Sequence, residues 1–343
     1  MPNSIQLIQK YGAENLDKKF MAEAKTSILE RNSLLKFINA KTVLIPEITM
    51  SGLGNYSKEN GFPKGSVNIA WEPHTLEMDR ARTFSVDAMD DEETAGVAAG
   101  NIMGEFERLK SVPEADAYRL SKIYSKAKPT NIVAKSIAAN TIISEFNDLI
   151  EKFDNDEVPT DEAVFFISTA VDKLLKSTSE LERKITQIDY KNSDGITFKV
   201  RAYEGIPIIA VPKTRFKTAY VFGDDGFTPQ TAIYELTEDE ALVTGKKYYT
   251  RSGSAGAYVY TLVESPLVAN IGTYYEITTP AAVDMHVMLV NFNSALPVKK
   301  HAPVRVFTPE TNQTADAYKF DYRLYHGIFT PKNKVDGIAV ITA

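Results

Sequence analysis

Cysteine is absent from all 343 residues, which removes disulfides, thiol nucleophiles and thiolate metal sites together. Any larger assembly must rest on non-covalent contacts or on a cross-link of another kind. Long apolar runs are missing too. The longest, such as Ala163–Ile167 and Val287–Val290, fall far short of the ~20 residues that span a bilayer. The opening residues, MPNSIQLIQKYGAENLDKKF, lack a basic-then-apolar leader pattern. A chain made and kept in a cytoplasm, with no membrane contact, is expected.

Chemistry-bearing patterns are equally scarce. The four histidines, His74, His286, His301 and His326, have no metalloprotease-like or other ligand spacing, so each reads as a structural or surface residue. No phosphate-cradling loop and no nucleophile elbow is present. Gly52-Leu53-Gly54 begins like a dinucleotide fingerprint, but position 57 is serine and no helix pattern follows; the glycines serve a turn. Asp90-Asp91-Glu92-Glu93 places four carboxylates in a row. Consecutive helical residues fan out instead of converging, so capping explains them better than an ion site. No catalytic, cofactor-binding or metal-binding residue is assigned, no cofactor is expected, and the chain does not read as an enzyme.

What is present is uneven charge. Of the net −6, residues 218–280 account for −5, with three basic and eight acidic groups, while residues 1–45 hold seven basic against four acidic. A basic arm and an acidic appendage suit opposite sides of a wall with nucleic acid on the basic side. Two ordinary solvated surfaces would produce the same count.

Periodicity then divides the chain. Residues 4–37 carry helical spacing, including Leu34, Leu35 and Phe37. Val43–Ile48 reads as a strand that Pro46 pushes to a sheet edge. A Gly/Asn/Lys-rich tip at 51–66 follows, and then strands at Val67–Trp71 and Thr75–Val86. Such a two-stranded ribbon is barely stable alone and should lie on something else, a neighbouring subunit being the natural candidate. A helix opens at Asp90 with the stripe Ala95, Ala98, Ile102, Phe106 and Leu109; Pro113 is expected to end it and to start the next.

Ala134, Ala138, Ile142, Phe146, Leu149 and Phe153 form a further helical stripe, and Val164–Ile167 a wholly apolar strand. Residues 169–183 read as helix. Ile206–Val211 reads as a strand whose expected partner is Val287–Val290. Between them, about 218–281, lie eight of the seventeen tyrosines among short alternating strands: an inserted β module, with its tyrosines in core packing or, less simply, on a contact face. From His301 strands resume, with a turn at Thr308–Asn312 and a last strand at Lys334–Ile341, the whole packing on the 92–127 helices.

Several short matches occur in order. Tyr56, Gly61-Phe62 and Trp71 precede Leu76, Asp79–Phe84 and Asp87. Asp90 and Glu93, Gly104–Phe106 and Pro113–Arg119 come next, then Gly205–Pro212, Pro303–Thr311, Phe320–His326 and Asn333–Ile338. Together they span about 41–343 apart from the insertion, and in this order the chain resembles the tailed-bacteriophage major capsid proteins of the Hong Kong 97-type fold. The resemblance implies an α+β fold with an N-terminal arm (1–41) and an extended loop (42–88). A peripheral domain with a long spine helix (89–128 and 300–343), an axial domain (129–217 and 282–299) and the inserted Tyr-rich acidic module (218–281) complete it.

It further implies self-assembly into pentamers and hexamers of an icosahedral shell enclosing double-stranded DNA, contacted non-specifically at the inner face. The location would be the virion, assembled in the bacterial host cytoplasm. Portal and decoration proteins are implied partners. The arm is shorter than a fused scaffolding segment, which implies a separate scaffolding protein or a segment removed. Some such proteins join Lys to Asn between subunits; Lys58 and Lys64 lie at the loop tip, but no matching Asn or carboxylate is identified. The alternatives are an encapsulin-like nanocompartment, or a receptor- or glycan-binding structural protein acting through the insertion.

Overall fold

The computed structural model describes residues 24–30, 36–37, 42–56, 58, 62–88, 103–177, 185–191, 197–237, 241–243, 246–254, 258–270, 272–301 and 304–343. The chain divides into two compact units, Lys217–Val283 and the remainder on either side of it.

In the first unit the strands in chain order are β1 (Lys36–Phe37), β2 (Thr42–Met50), β3 (Val67–Thr75), β4 (Met78–Asp87), β5 (Ile132–Ala134), β6 (Ala163–Ser168), β7 (Ile185–Lys191), β8 (Thr197–Tyr203) and β9 (Ile206–Val211). In the second unit β10 (Tyr220–Gly223) and β11 (Gly226–Pro229) make a hairpin, and β12 (Ile233–Leu236), β13 (Tyr249–Ser252), β14 (Val259–Leu262) and β15 (Tyr275–Thr279) make a four-stranded sheet. The first unit resumes with β16 (Met285–Asn291), β17 (Leu296–His301), β18 (Arg305–Phe307), β19 (Ala317–Phe329) and β20 (Ile338–Thr342). Its principal helices are α1 (Val112–Lys126), α2 (Ile142–Asn155) and α3 (Thr169–Ser177).

The main core is a seven-stranded sheet in the order β5-β20-β16-β6-β9-β8-β7. Every residue of β6 is buried, as a strand covered on both faces requires. The stripe Ile142, Phe146, Leu149 and Phe153 turns one side of α2 onto this sheet, where Phe146 stacks on Phe165 at 4.8 Å and 14°. Val171 and Leu175 of α3 join the same cluster.

Four expectations change here. Ala134 ends strand β5, and Ala138 precedes α2, so the helical stripe begins at Ile142. Ile206–Val211 does not pair with Val287–Val290, because the fully buried β6 lies between β9 and β16 and bonds to both. The last strand begins at Ile338 after a 3-10 segment, Lys332–Gly337. It pairs with β16 and β5 in this sheet, so the 300–343 stretch divides between two sheets.

The second sheet centres on β19, with β17 and β18 on one side and β4 along the other, Met78–Asp87 against Ala317–His326. The helix at 103–126 covers it. Val112 and Ala115 pack on Phe320, Tyr322 and Leu324, and Ser111 bonds the Tyr322 hydroxyl at 2.8 Å. Pro113 does not stop this helix. It lacks an N–H, and its ring would crowd the carbonyl four residues back. The helix widens just before it into a π turn, Glu107–Ser111, where the Val112 amide donates to the Glu107 carbonyl. Helical residues Thr169–Ser177 cover the described part of 169–183; Asp90–Glu93, Ala95, Ala98 and Ile102 lie outside the described residues.

Of the 4–37 helical pattern, Lys25–Leu29 forms a buried 3-10 turn against α1, whereas Phe37 pairs with Val43 in β1. Asp116 of α1 holds that turn. Its carboxylate accepts the Lys25 and Thr26 amides at 3.0 and 3.1 Å and the Thr26 hydroxyl at 2.8 Å. The Arg215 guanidinium also donates to Asp116, and Arg119 pairs with Glu30 at 2.9 Å. Asp116, Arg119 and Glu30 are all buried, and each has its countercharge, which burial demands.

Candidate assembly surface

Strands β2 and β3 form a ribbon in continuous register from Thr42↔Thr75 to Met50↔Val67. β1 reaches only Val43 and Leu44, so at Pro46 the strand has β3 on one side and no described strand on the other, where its missing N–H costs nothing. Residues directly opposite share a face and successive residues alternate. Ile48 with Ile69, Met50 with Val67, and Trp71 opposite Pro46 therefore crowd one face. Val43 and Ile45 stand on the other.

The two faces meet different fates. Val43 and Ile45 are buried with Leu76, Val298 and Phe329, anchoring the ribbon's root on its own subunit. Gly327 makes room there: a Cβ on it would come within 2.9 Å of Leu76. Beyond the root the opposite face takes over as the apolar one, and it is uncovered. Ile48, Met50, Val67, Ile69 and Trp71 are 53, 72, 65, 60 and 52% exposed. The side that rests on the body is thus the wrong side to cover them.

Described residues of the tip contact one another. Ser51 and Ser66 exchange hydrogen bonds across it. Tyr56 and Phe62 pack ring to ring at 5.1 Å, and Gly54 lies where a Cβ would strike Pro63 at 2.8 Å. Leu53 and Phe62 are nevertheless almost wholly in solvent. Contiguous apolar surface of this kind marks an interaction site.

Ion pairs brace the base. Arg80 of β4 meets Glu114 at 2.5 Å, Arg323 of β19 meets Asp79 with Nε–Oδ1 at 2.8 Å, and Lys122 meets Glu77 at 2.6 Å. Beneath them His326 is buried with its ring edge-on to Tyr118 at 5.1 Å. Burial, then the nearby Arg119 and Arg80, pushes its pKa down to about 3. Burial and Glu77 hold the Tyr118 hydroxyl above its usual range.

The residues weighed for chemistry do not converge. His74 packs at a tilt against Phe329 at the ribbon root, His286 lies on β16, His301 ends β17, and His326 is the buried ring on β19. Among the described residues no group of three or more His, Asp or Glu is placed to hold a metal ion, and no helix is long and apolar enough to cross a membrane. Gly52 and Gly54 sit in the irregular tip, with no helix among the described residues between them and β3, and Lys58 and Lys64 are exposed there. The aromatic residues Tyr56, Phe62 and Trp71 were legible as a pattern. Ile48, Met50, Val67 and Ile69 were not singled out, although even positions on β2 facing odd positions on β3 would have shown them once the register was known.

No family model matches the sequence, and no curated protein matches it. Solved structures do. One is the asymmetric unit of the bacteriophage PhiM1 mature capsid, at 12% identity and a TM-score of 0.51, covering 88% of this chain and 82% of that one. The chain carries the Hong Kong 97-type capsid fold. A structure from Gordonia phage Cozz is similar at 11% identity and a TM-score of 0.50, over 93% of this chain and 86% of that one. In the Hong Kong 97-type fold seen here, the exposed ribbon, the helix at 103–126 and the seven-stranded sheet are parts of one first unit, and the tyrosine-rich unit interrupts it between β9 and β16.

Proposed function

We propose that this chain is the major shell protein of a tailed-phage head, a structural protein and not an enzyme. Copies assemble as pentamers and hexamers into an icosahedral container for double-stranded DNA, with the basic arm toward the nucleic acid. A separate scaffolding protein, a portal and decoration proteins are the partners this role calls for. Assembly takes place in the bacterial host cytoplasm, and the virion is the final location. In this reading 42–88 is the extended loop, 89–128 with about 300–329 the peripheral part, and the seven-stranded sheet, with the final strand β20 in it, the axial part.

The observation that carries the proposal is the ribbon face opposite the anchored one: five large apolar residues that the subunit's own contacts leave exposed. A second copy laid beneath that ribbon would bury them, and repetition of many such modest contacts closes a wall. The likeness to a mature phage capsid supports the same role.

The test is assembly of the full chain, followed by size-exclusion chromatography and negative-stain microscopy, beside a variant lacking residues 51–66. Closed particles from the full chain and a folded, soluble, unassembled variant are expected. Wild-type-like particles from the deletion would refute the proposal. Nuclease-protected DNA inside particles supports the phage head, whereas enzyme cargo would instead indicate an encapsulin-like compartment.

A further inference from the structure

Among the described residues, large exposed apolar side chains occur in two places, the ribbon and the Lys217–Val283 unit, with Leu109 the exception. In that unit the four-stranded sheet sorts its side chains by face. Register sets Leu236 opposite Tyr275, Tyr234 opposite Ile277 and Leu262 opposite Tyr249, so these share one face with Tyr260 and Arg251. Glu235 opposes Glu276 on the other.

The tyrosines are rigidly packed: Tyr234 and Tyr260 stack at 3.9 Å and 4°, and the Arg251 guanidinium lies 4.6 Å from the Tyr275 ring centre. Leu236 and Leu262 rim this aromatic bed and are 52 and 45% exposed. Rigid tyrosine with an aliphatic rim and little formal charge is the composition of interface cores.

Charge selects the occupant. Residues 218–280 carry a net −5, while the ribbon tip, 51–66, carries Lys58 and Lys64 against the single Glu59. An anionic polymer would be repelled by this unit, whereas the lysine-bearing apolar tip is attracted to it. The ribbon is also supplied by every copy of the chain.

We infer that the apolar ribbon face of one copy, through Ile48, Met50 and Ile69, docks on the Leu236–Leu262 tyrosine face of a neighbouring copy's inserted unit. Lys58 and Lys64 then meet its acidic surface. This rests on the shell reading and names the partner surface within it.

The absence of native cysteine makes the test clean. Two single-cysteine versions of the full chain, Met50→Cys and Leu262→Cys, are mixed, assembled, oxidised and run on a non-reducing gel, with Leu236→Cys as a second acceptor. A covalent dimer formed only in the mixture is expected. Adding Lys58→Glu and Lys64→Glu to the Met50→Cys chain should slow its formation about tenfold at low ionic strength. Intact particles in which Met50→Cys links to Leu109→Cys, to itself, or to neither acceptor overturn this inference and leave the shell reading standing. An unchanged rate in the lysine variant overturns the charge pairing. No particles from the unsubstituted chain, with no cross-link in any mixture, overturns both.

Discussion

Strands β6 and β3 both carry large apolar side chains and end in opposite environments. AVFFIS at 163–168 is buried at every residue, whereas VNIAWEPHT at 67–75 is exposed at its first five and half-buried at two more. The first is covered by α2, α3 and sheet neighbours supplied by the same chain. The second has one partner strand and a core only at its root. A large apolar side chain is therefore not buried by its own nature; it is buried where the chain itself supplies the covering layer. One region is covered by its own chain, and the other leaves its apolar face exposed.

Breaking the self-sufficient side should have the largest effect on the isolated subunit. Phe165→Ala removes the ring stacked on Phe146 and should cost about 3–5 kcal/mol, read by urea unfolding; a loss under about 1 kcal/mol would mean the sheet core can repack. Asp116→Ala leaves the Lys25 and Thr26 amides, the Thr26 hydroxyl and the Arg215 guanidinium without their acceptor. A loss of about 3 kcal/mol is expected, together with faster hydrogen exchange at 24–30 than in α2. Equal exchange in both would show that the turn is held by something other than Asp116.

A pH series sharpens the same contrast. The His326 pKa in the folded chain lies below its ordinary value of 6.5, at about 3, because burial and then Arg119 and Arg80 disfavour the charged ring. Its contribution is therefore complete above pH 6.5, declines as the pH falls below that value, and levels off near 3. Stability should drop by roughly 1 kcal/mol per pH unit across that window from this group, and His326→Phe should flatten the slope. An unchanged slope would assign the acid sensitivity to the carboxylates alone. The smallest effect on the isolated subunit belongs to the ribbon: Ile69→Ser should alter stability by less than about 0.5 kcal/mol, since the side chain is already in water.

Much of this architecture was legible because local pattern and environment agree. The α2 stripe from Ile142 to Phe153 has helical spacing, β6 is apolar from Ala163 to Ile167, and Gly/Pro/Tyr punctuation sets off the residues around 218–281. Failures came where non-local partners decide. Nothing local in Ile206–Val211 says that β6, not β16, will lie beside it. Pro113 reads as a stop until the π turn at Glu107–Ser111 absorbs it. Ala134 fits a helical spacing but sits beside β20, whose edge recruits it into β5. The candidate assembly surface was half visible: the ribbon's thin core and its aromatics could be read, but the change of apolar face between Ile45 and Ile48 appears only with the β2–β3 register.

The most direct measurement compares assembly with stability in one ribbon-face variant, Ile69→Ser combined with Met50→Ser. Urea unfolding reports on the subunit, and sedimentation with microscopy reports on the shell. Unfolding indistinguishable from the parent chain, with closed particles abolished, is the predicted pair of results. Particles of normal yield and form, or a subunit that loses several kcal/mol, would show that this face is not what copies of the chain use to complete one another.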